Sequence, residues 1–151
     1  MNTTENYSNP NQVWNKSYFF DIEMIDQQHS KFFVLFDKLM TLNTLETYSQ
    51  IADVIAELER YMIIHFQTEE ALMRKAESSE IELHLVQHEL FKKKVNEFKT
   101  AYSYNNSILL EQIIVFMRKW MLIHISEIDG KYVDSVKRYM KEKLLLKNKM
   151  D

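Results

Sequence analysis

The sequence predicts an all-α protein: an antiparallel up-down-up-down four-helix bundle with an N-terminal arm and a short C-terminal helix. Three observations carry that expectation. Apolar residues recur three and four apart through most of the chain. Gly130 and Pro10 are the only glycine and proline among 151 residues, which favours long helices over tight turns. The β-branched residues are scattered at helical intervals rather than gathered into alternating runs. A chain of this length is read as one domain, with a flexible leader at 1–12, the bundle at 13–146 and a tail at 147–151.

The elements follow in order. Val13, Trp14 and Tyr18 to Phe20 form an apolar arm that must pack on something. Asp21 is the expected N-cap of the first helix, whose inward stripe runs Ile22, Ile25, His29, Phe32, Phe33, Phe36, Leu39 and Met40. Thr41 to Thr47 reads as a loop. The second helix starts near Tyr48, and its stripe is Ile51, Val54 or Ile55, Leu58, Met62, His65, Glu69 and Leu72 or Met73. Glu70 and Arg74 make an outward i,i+4 pair beside it. Ser79 and Glu82 have capping-box spacing ahead of a third helix carrying Ile81, His84, His88, Phe91, Val95 and Phe98. Thr100 to Asn106 reads as a polar connection, with Asn106 capping the fourth helix. There the stripe is Ile108 or Leu109, Ile113, Phe116, Trp120, His124 and Ile128. Gly130 either ends that helix in a left-handed cap or is tolerated before a terminal helix carrying Tyr132, Val136, Tyr139, Met140 and Leu144.

Composition narrows the chemistry. Cysteine is absent, which removes disulfides, thiolate ligands and iron–sulfur clusters. No segment reaches the roughly 18 apolar residues of a membrane span, and the polar leader has no signal-peptide core. A cytoplasmic protein without a membrane partner is expected. The net charge of -3 argues against nucleic acid, although Lys137 to Lys149 is locally basic and reads as a solvated helix face.

The histidines carry the function. A lone histidine on a helix face is ordinarily a satisfied core side chain. Here all five, His29, His65, His84, His88 and His124, fall on inward stripes together with Glu69, and Asp129 follows the fourth helix. His65 and Glu69, like His84 and His88, are spaced i,i+4 and so leave one helix face a turn apart. Carboxylates buried alone would be costly, and neutral imidazoles supply lone pairs rather than compensating charge. Metal ions satisfy both. Seven ligands are too many for one ion. They suit two octahedral ions if both carboxylates and a solvent-derived oxygen bridge. His84, His88 and His124 then complete one ion, while His29 and His65 leave the other five-coordinate, with a position open to a small ligand.

The segments Ile25-Asp26-Gln27-Gln28-His29, His65-Phe66-Gln67-Thr68-Glu69-Glu70, His84-Leu85-Val86-Gln87-His88 and Trp120-Met121-Leu122-Ile123-His124-Ile125 with Asp129 resemble the hemerythrin family, specifically its single-domain bacterial members. The resemblance runs from about Trp14 to Tyr132. It implies two non-haem iron ions joined by an oxo or hydroxo bridge, with Glu69 and Asp129 bridging and His29 and His65 on the iron with the open site. It further implies that O2 binds there as hydroperoxide and is released by the reverse transfers. Asp21 stands where relatives often have glycine. The turn Arg74-Lys75-Ala76-Glu77-Ser78-Ser79 lacks the usual Gly-Tyr-Pro character. Met121 replaces a branched aliphatic near the oxygen pocket, where Trp120 and Phe66 are also expected, and its thioether is oxidisable. Phe32, Phe36, Phe66, Phe116 and Trp120 read as core that excludes water, and Asp26 and Gln27 as caps or outer partners of a histidine N–H.

The function expected is reversible O2 binding for storage, delivery or scavenging rather than catalysis. The alternatives are a diiron redox enzyme reducing peroxide or nitric oxide or donating iron for cluster repair, and an oxygen or redox sensor acting through a separate partner. A monomer is expected. Tyr102 and Tyr104 are the residues available to a weak oligomer contact, and a redox partner is left open.

Overall fold

The computed structural model describes residues 18–42, 48–105 and 107–150. The leader, Val13 and Trp14, the centre of the first connection, the Asn106 cap and Asp151 lie outside them. The described residues are all helical, with no strand among them. Five α-helices follow in order: α1 (Glu23–Met40), α2 (Tyr48–Lys75), α3 (Ile81–Ser103), α4 (Leu109–Lys119) and α5 (Val133–Lys147). A π-helix, Trp120–Ile128, continues α4 without a break, and a 3-10 turn, Asp129–Lys131, leads into α5. Helix α2 packs on α1 and α3, α4 on α1 and α3, and α5 on α2. Among the described residues no helix is long and apolar enough to cross a membrane.

The helix ends explain how a chain with one glycine turns. Asp21, Glu77 and Asn105 hold left-handed backbone at φ 57°, 49° and 55°. Asp and Asn tolerate this conformation better than most side chains. Glu77 sits at the position glycine ordinarily takes after a helix, with the Ser78 N–H reaching back to the Met73 carbonyl at 2.9 Å. Asp21 is therefore not the cap of α1. Ile22 holds the N-cap with no side-chain bond, and Asp21 lies one residue early in a conformation a cap does not use. The Ser79–Glu82 box does not form either. Glu80 is the N-cap of α3, and Ser78 Oγ accepts the Glu80 N–H at 3.3 Å. Gly130, by contrast, is not left-handed, since no glycine has positive φ.

Other boundaries shift for local reasons. Helix α3 continues through Ser103, past the expected start of the loop at Thr100. Its end is held by Tyr102, which stacks on Tyr48 with ring centroids 4.4 Å apart while its carbonyl accepts the Tyr48 hydroxyl. On α5 only Val136 is buried, preceded by the fully buried Tyr132. Met140 and Leu144, expected to continue the stripe, are 44% and 59% exposed because the smaller apolar cluster ends at Val136. Met40 and Ile108 are likewise exposed, whereas Leu109 is buried.

Two apolar clusters flank a polar layer. The larger gathers Phe32, Phe33, Phe36, Leu58, Phe91, Phe98 and Ile113, and Tyr18 of the arm closes it against Phe33 at 5.1 Å. The smaller holds Ile22, Ile25, Met73, Tyr132 and Val136. All five histidines and both carboxylates are buried. Truncating the wholly buried Phe32 to alanine is expected to cost about 3–5 kcal/mol in urea unfolding, against less than about 0.5 kcal/mol for Met140→Ala. Similar losses for the two would contradict this placement of the core.

Candidate metal centre

Each element delivers its polar residues by a local rule. On α2 the i,i+4 spacing carries His65 and Glu69 inward, and on α3 it does the same for His84 and His88. His124 and Asp129 are five apart, which in an α-helix would leave them about 140° apart around the axis. The π-helix removes that conflict. The Asp129 N–H bonds the His124 carbonyl, an i→i+5 bond that brings the two side chains to one face. A continuous α-helix was the expectation here, and the five-residue spacing is the signal that argued against it.

The imidazoles fall into two groups. The His29 and His65 ring centroids are 4.7 Å apart. His84, His88 and His124 form a triangle with sides of 5.3, 5.4 and 5.6 Å. The two carboxylates each touch both groups. Asp129 Oδ1 lies 3.1 Å from His84 Nε2 and 3.0 Å from His124 Nε2, while Oδ2 lies 3.2 Å from His29 Nε2. Glu69 Oε2 lies 3.5 Å from His65 Nε2 and 3.2 Å from His88 Nε2. Its other oxygen, Oε1, accepts the Tyr132 hydroxyl at 2.6 Å. All seven predicted residues are thus brought together. Their ligand atoms form three overlapping sets able to hold a cation, with Glu69, His124 and Asp129 shared between sets.

The outer nitrogens fix the rings. His65 Nδ1 donates to Gln28 Oε1 at 2.9 Å, His84 Nδ1 to the Glu80 carbonyl at 3.1 Å, and His88 Nδ1 to Glu70 Oε1 at 2.9 Å. Gln28 is held in turn by Thr68 at 3.1 Å. An N–H turned outward leaves the Nε2 lone pair facing the carboxylates. His29, His65, His88 and His124 Nε2, with Glu69 Oε2 and Asp129 Oδ2, lack any hydrogen bond despite these short separations. Lone pairs facing lone pairs in a buried layer require a positive charge between them. The donor set fits hard or borderline divalent and trivalent cations that take nitrogen and oxygen together.

Without a metal, protons must do this work. Burial depresses the His65 imidazole to about 4, which keeps it neutral near pH 7. Burial also pulls on His29 and His84, but Asp129 outweighs it and leaves both raised. Burial would raise Asp129, yet His124 and the other imidazoles hold it well below the usual carboxylate range.

Outer residues differ from expectation. Asp26 accepts the Phe20 N–H at 2.8 Å, and Gln27 bonds Glu23 at 3.2 Å, so neither serves a histidine. Gln28 and Glu70 do, and Glu70 keeps its long contact to Arg74 at 3.5 Å. Adjacency to His29 and Glu69 was the available signal for both. Aromatic rings cover the imidazoles. Phe66 stacks on His88 at 3.8 Å, Trp120 on His124 at 3.7 Å and Tyr61 on His65 at 4.8 Å, while Phe20 meets His29 edge-on at 5.7 Å. Phe66, expected with Trp120 at the oxygen pocket, lies between the two groups, 5.9 Å from His65 as well as on His88. Met121 is fully buried. Tyr61 and Tyr132 were not among the expected site residues.

The comparisons agree with this geometry. Residues 21–136 match the family described as "Hemerythrin HHE cation binding domain". A protein named bacteriohemerythrin from Pseudomonas aeruginosa is 30% identical over 139 residues, covering 92% of this chain and 89% of that one. A bacteriohemerythrin from Clostridium acetobutylicum is 29% identical over 127 residues, covering 81% and 98%. A hemerythrin-like protein from Naegleria gruberi is 27% identical over 119 residues, covering 79% and 88%. No solved structure matches significantly.

The raised His29 and His84 give the sign of a pH dependence. A metal must displace their protons, so affinity rises with pH and uptake releases protons. Anaerobic titration of metal-free protein with ferrous ion in an indicator dye should show acidification and weaker binding as pH falls through the raised values of His29 and His84. A pH-independent affinity would contradict the proton-for-metal exchange.

Proposed function

The chain belongs to the hemerythrin family, and from that membership we propose that it binds O2 reversibly at a non-haem diiron centre. The observation that carries the reading is the partition of five imidazoles into a pair and a triangle, with each carboxylate touching both. In this proposal His29 and His65 hold one iron, and His84, His88 and His124 hold the other. Glu69 and Asp129, which touch both groups, would hold both ions together. Such a pair, when bound, would supply reversible two-electron chemistry toward O2. The helices α1 to α4 are taken to run alternately up and down, which their short connections and neighbour pairs support.

The protein's own residues hold the centre, orient it and keep it dry. Gln28, Glu80 and Glu70 fix three imidazoles from outside, and Tyr132 fixes one oxygen of Glu69. The flanking apolar clusters exclude water, which would otherwise supply protons and competing anions. The chain is read as a monomer without nucleic-acid or membrane partners.

Titrating the reduced, iron-loaded protein with O2 tests this directly. A ligand-to-iron charge-transfer band should grow to one O2 per iron pair and vanish under argon. Immediate conversion to an unchanging ferric spectrum would support a redox enzyme or sensor instead, and failure to hold an iron pair would sink the site assignment. Met121 is fully buried in the larger core cluster, three residues before His124, and its thioether is oxidisable. Met121→Leu should therefore slow loss of the oxygenated form, and autoxidation rates equal to wild type would exclude that role.

A further inference from the structure

Tyr61 has a hydroxyl with nothing to bond. It lies on α2 one turn before His65, is 9% exposed, and its oxygen is buried without a hydrogen-bond partner. Buried hydroxyls are ordinarily satisfied, and an orphan inside a well-packed core calls for a physical reason. Its ring stacks on His65 at 4.8 Å and packs against Phe32 at 5.0 Å, with Phe66 and Phe91 beyond at 6.4 and 6.5 Å. The three phenylalanines are hydrocarbon and offer no acceptor, and the hydroxyl makes no hydrogen bond to His65. The phenol is held rigidly beside the imidazole of the two-histidine end.

A route from solvent arrives at the same place. A groove of about 500 Å³ between α1 and α2 is lined by Val34, Leu35, Ile64, Tyr61 and His65, with Lys31 and Arg60 among its polar residues. A small ligand entering there meets Tyr61 and His65 together, and the basic side chains favour an anion. At the other end Trp120 lies across His124 at 3.7 Å, nearly parallel, and presents an indole rather than a hydroxyl. Of the rings stacked on cluster imidazoles, Tyr61 alone carries an O–H, and it sits at the end with two histidines instead of three.

We propose that Tyr61 is a ligand-binding residue whose hydroxyl donates a hydrogen bond to the small diatomic or triatomic ligand held at the His29–His65 end of the centre. This rests on the diiron reading above, since it needs a metal there to hold the ligand. The acceptor is a lone pair on the ligand's outer atom, and the ligand supplies the partner that the protein withholds. An ordinary phenol stays protonated at neutral pH, so the donor is available without any change of ionisation. Ligands whose outer atom accepts a hydrogen bond, such as O2 or azide, are favoured over carbon monoxide, whose outer atom accepts poorly. The bond adds to whatever the bridge contributes and slows ligand escape.

Azide binding to the oxidised, iron-loaded protein tests it without relying on turnover. Wild type and Tyr61→Phe are compared by iron content, thermal unfolding and optical titration with azide, and the azide stretch is recorded in water and in heavy water. Tyr61→Phe is expected to keep its iron pair and its thermal stability, because the hydroxyl it loses had no partner. Its azide affinity should fall roughly tenfold, the order of one hydrogen bond. A solvent-isotope shift of the azide stretch should shrink in the variant. Equal affinity and equal isotope shift in the two proteins would overturn the role of Tyr61 while leaving the diiron reading intact. Loss of thermal stability with unchanged azide affinity would likewise overturn it, showing an internal partner. Failure of wild type itself to hold iron or bind azide would overturn the diiron reading and the proposal with it.

Discussion

Two ionised carboxylates lie in the middle of a helical bundle, and most of what is distinctive about the molecule follows from that. Glu69 and Asp129 are wholly buried, and five imidazoles approach them at 3.0–3.5 Å. Removing such charges from water costs several kcal/mol each. Hydrogen bonds offset this cost only in part: Tyr132 donates to Glu69 and His84 lies in hydrogen-bond contact with Asp129, but Glu69 Oε2 and Asp129 Oδ2 have no donor. Only protons or cations in the gap can offset the rest. In the metal-free protein Asp129 favours the protonated form of His29 and His84, whereas burial depresses His65 to about 4. The layer is built to exchange a diffuse set of protons for localised metal charge.

The surrounding fold is arranged to hold that layer still. A straight continuation of α4 would point His124 and Asp129 in different directions. Inserting π-helical geometry over Trp120–Ile128 aligns them, with fewer well-formed turns as the cost. The stacked rings serve the same end. Phe66, Trp120 and Tyr61 each lie on an imidazole face, so rotation of a ligand ring would require displacing packed aromatic surface. Tyr132 links this layer to the start of α5 by donating to Glu69. The C-terminal helix is therefore anchored where it meets the centre and exposed where it does not.

Much of this was legible in the residues themselves. Inward stripes on α1, α2 and α3 placed His29, His65, Glu69, His84 and His88 correctly, because an apolar face with a 3.6-residue period leaves little freedom about which side chains point inward. Tyr61 was overlooked for the opposite reason: Met62 and Leu58 already filled the expected stripe, and a tyrosine beside them reads as boundary. The helix ends were the weak point. Capping rules name residue types, and here Asp21, Glu77 and Asn105 were used for left-handed turns that glycine would ordinarily make. Glu70 was read only as a surface partner of Arg74, a pair the structure keeps at 3.5 Å. Its second role toward His88 depends on the spacing of α2 and α3, which no local pattern encodes.

The two histidine groups differ in their outer partners, while a groove runs beside each. The groove between α1 and α2 ends at His65 and Tyr61, where two imidazoles stand. A second groove, between α3 and the α4–π segment, reaches His124 only beside Trp120, and Phe66 covers His88 of the same triangle. The outer partners divide likewise. His88 donates to the carboxylate of Glu70, whereas His65 donates to the neutral amide of Gln28. A carboxylate partner makes an imidazole a stronger donor to a metal than an amide does. The three-histidine group thus has the more basic outer partner, and each group has a groove beside it and a ring, Trp120 or Tyr61, stacked on an imidazole.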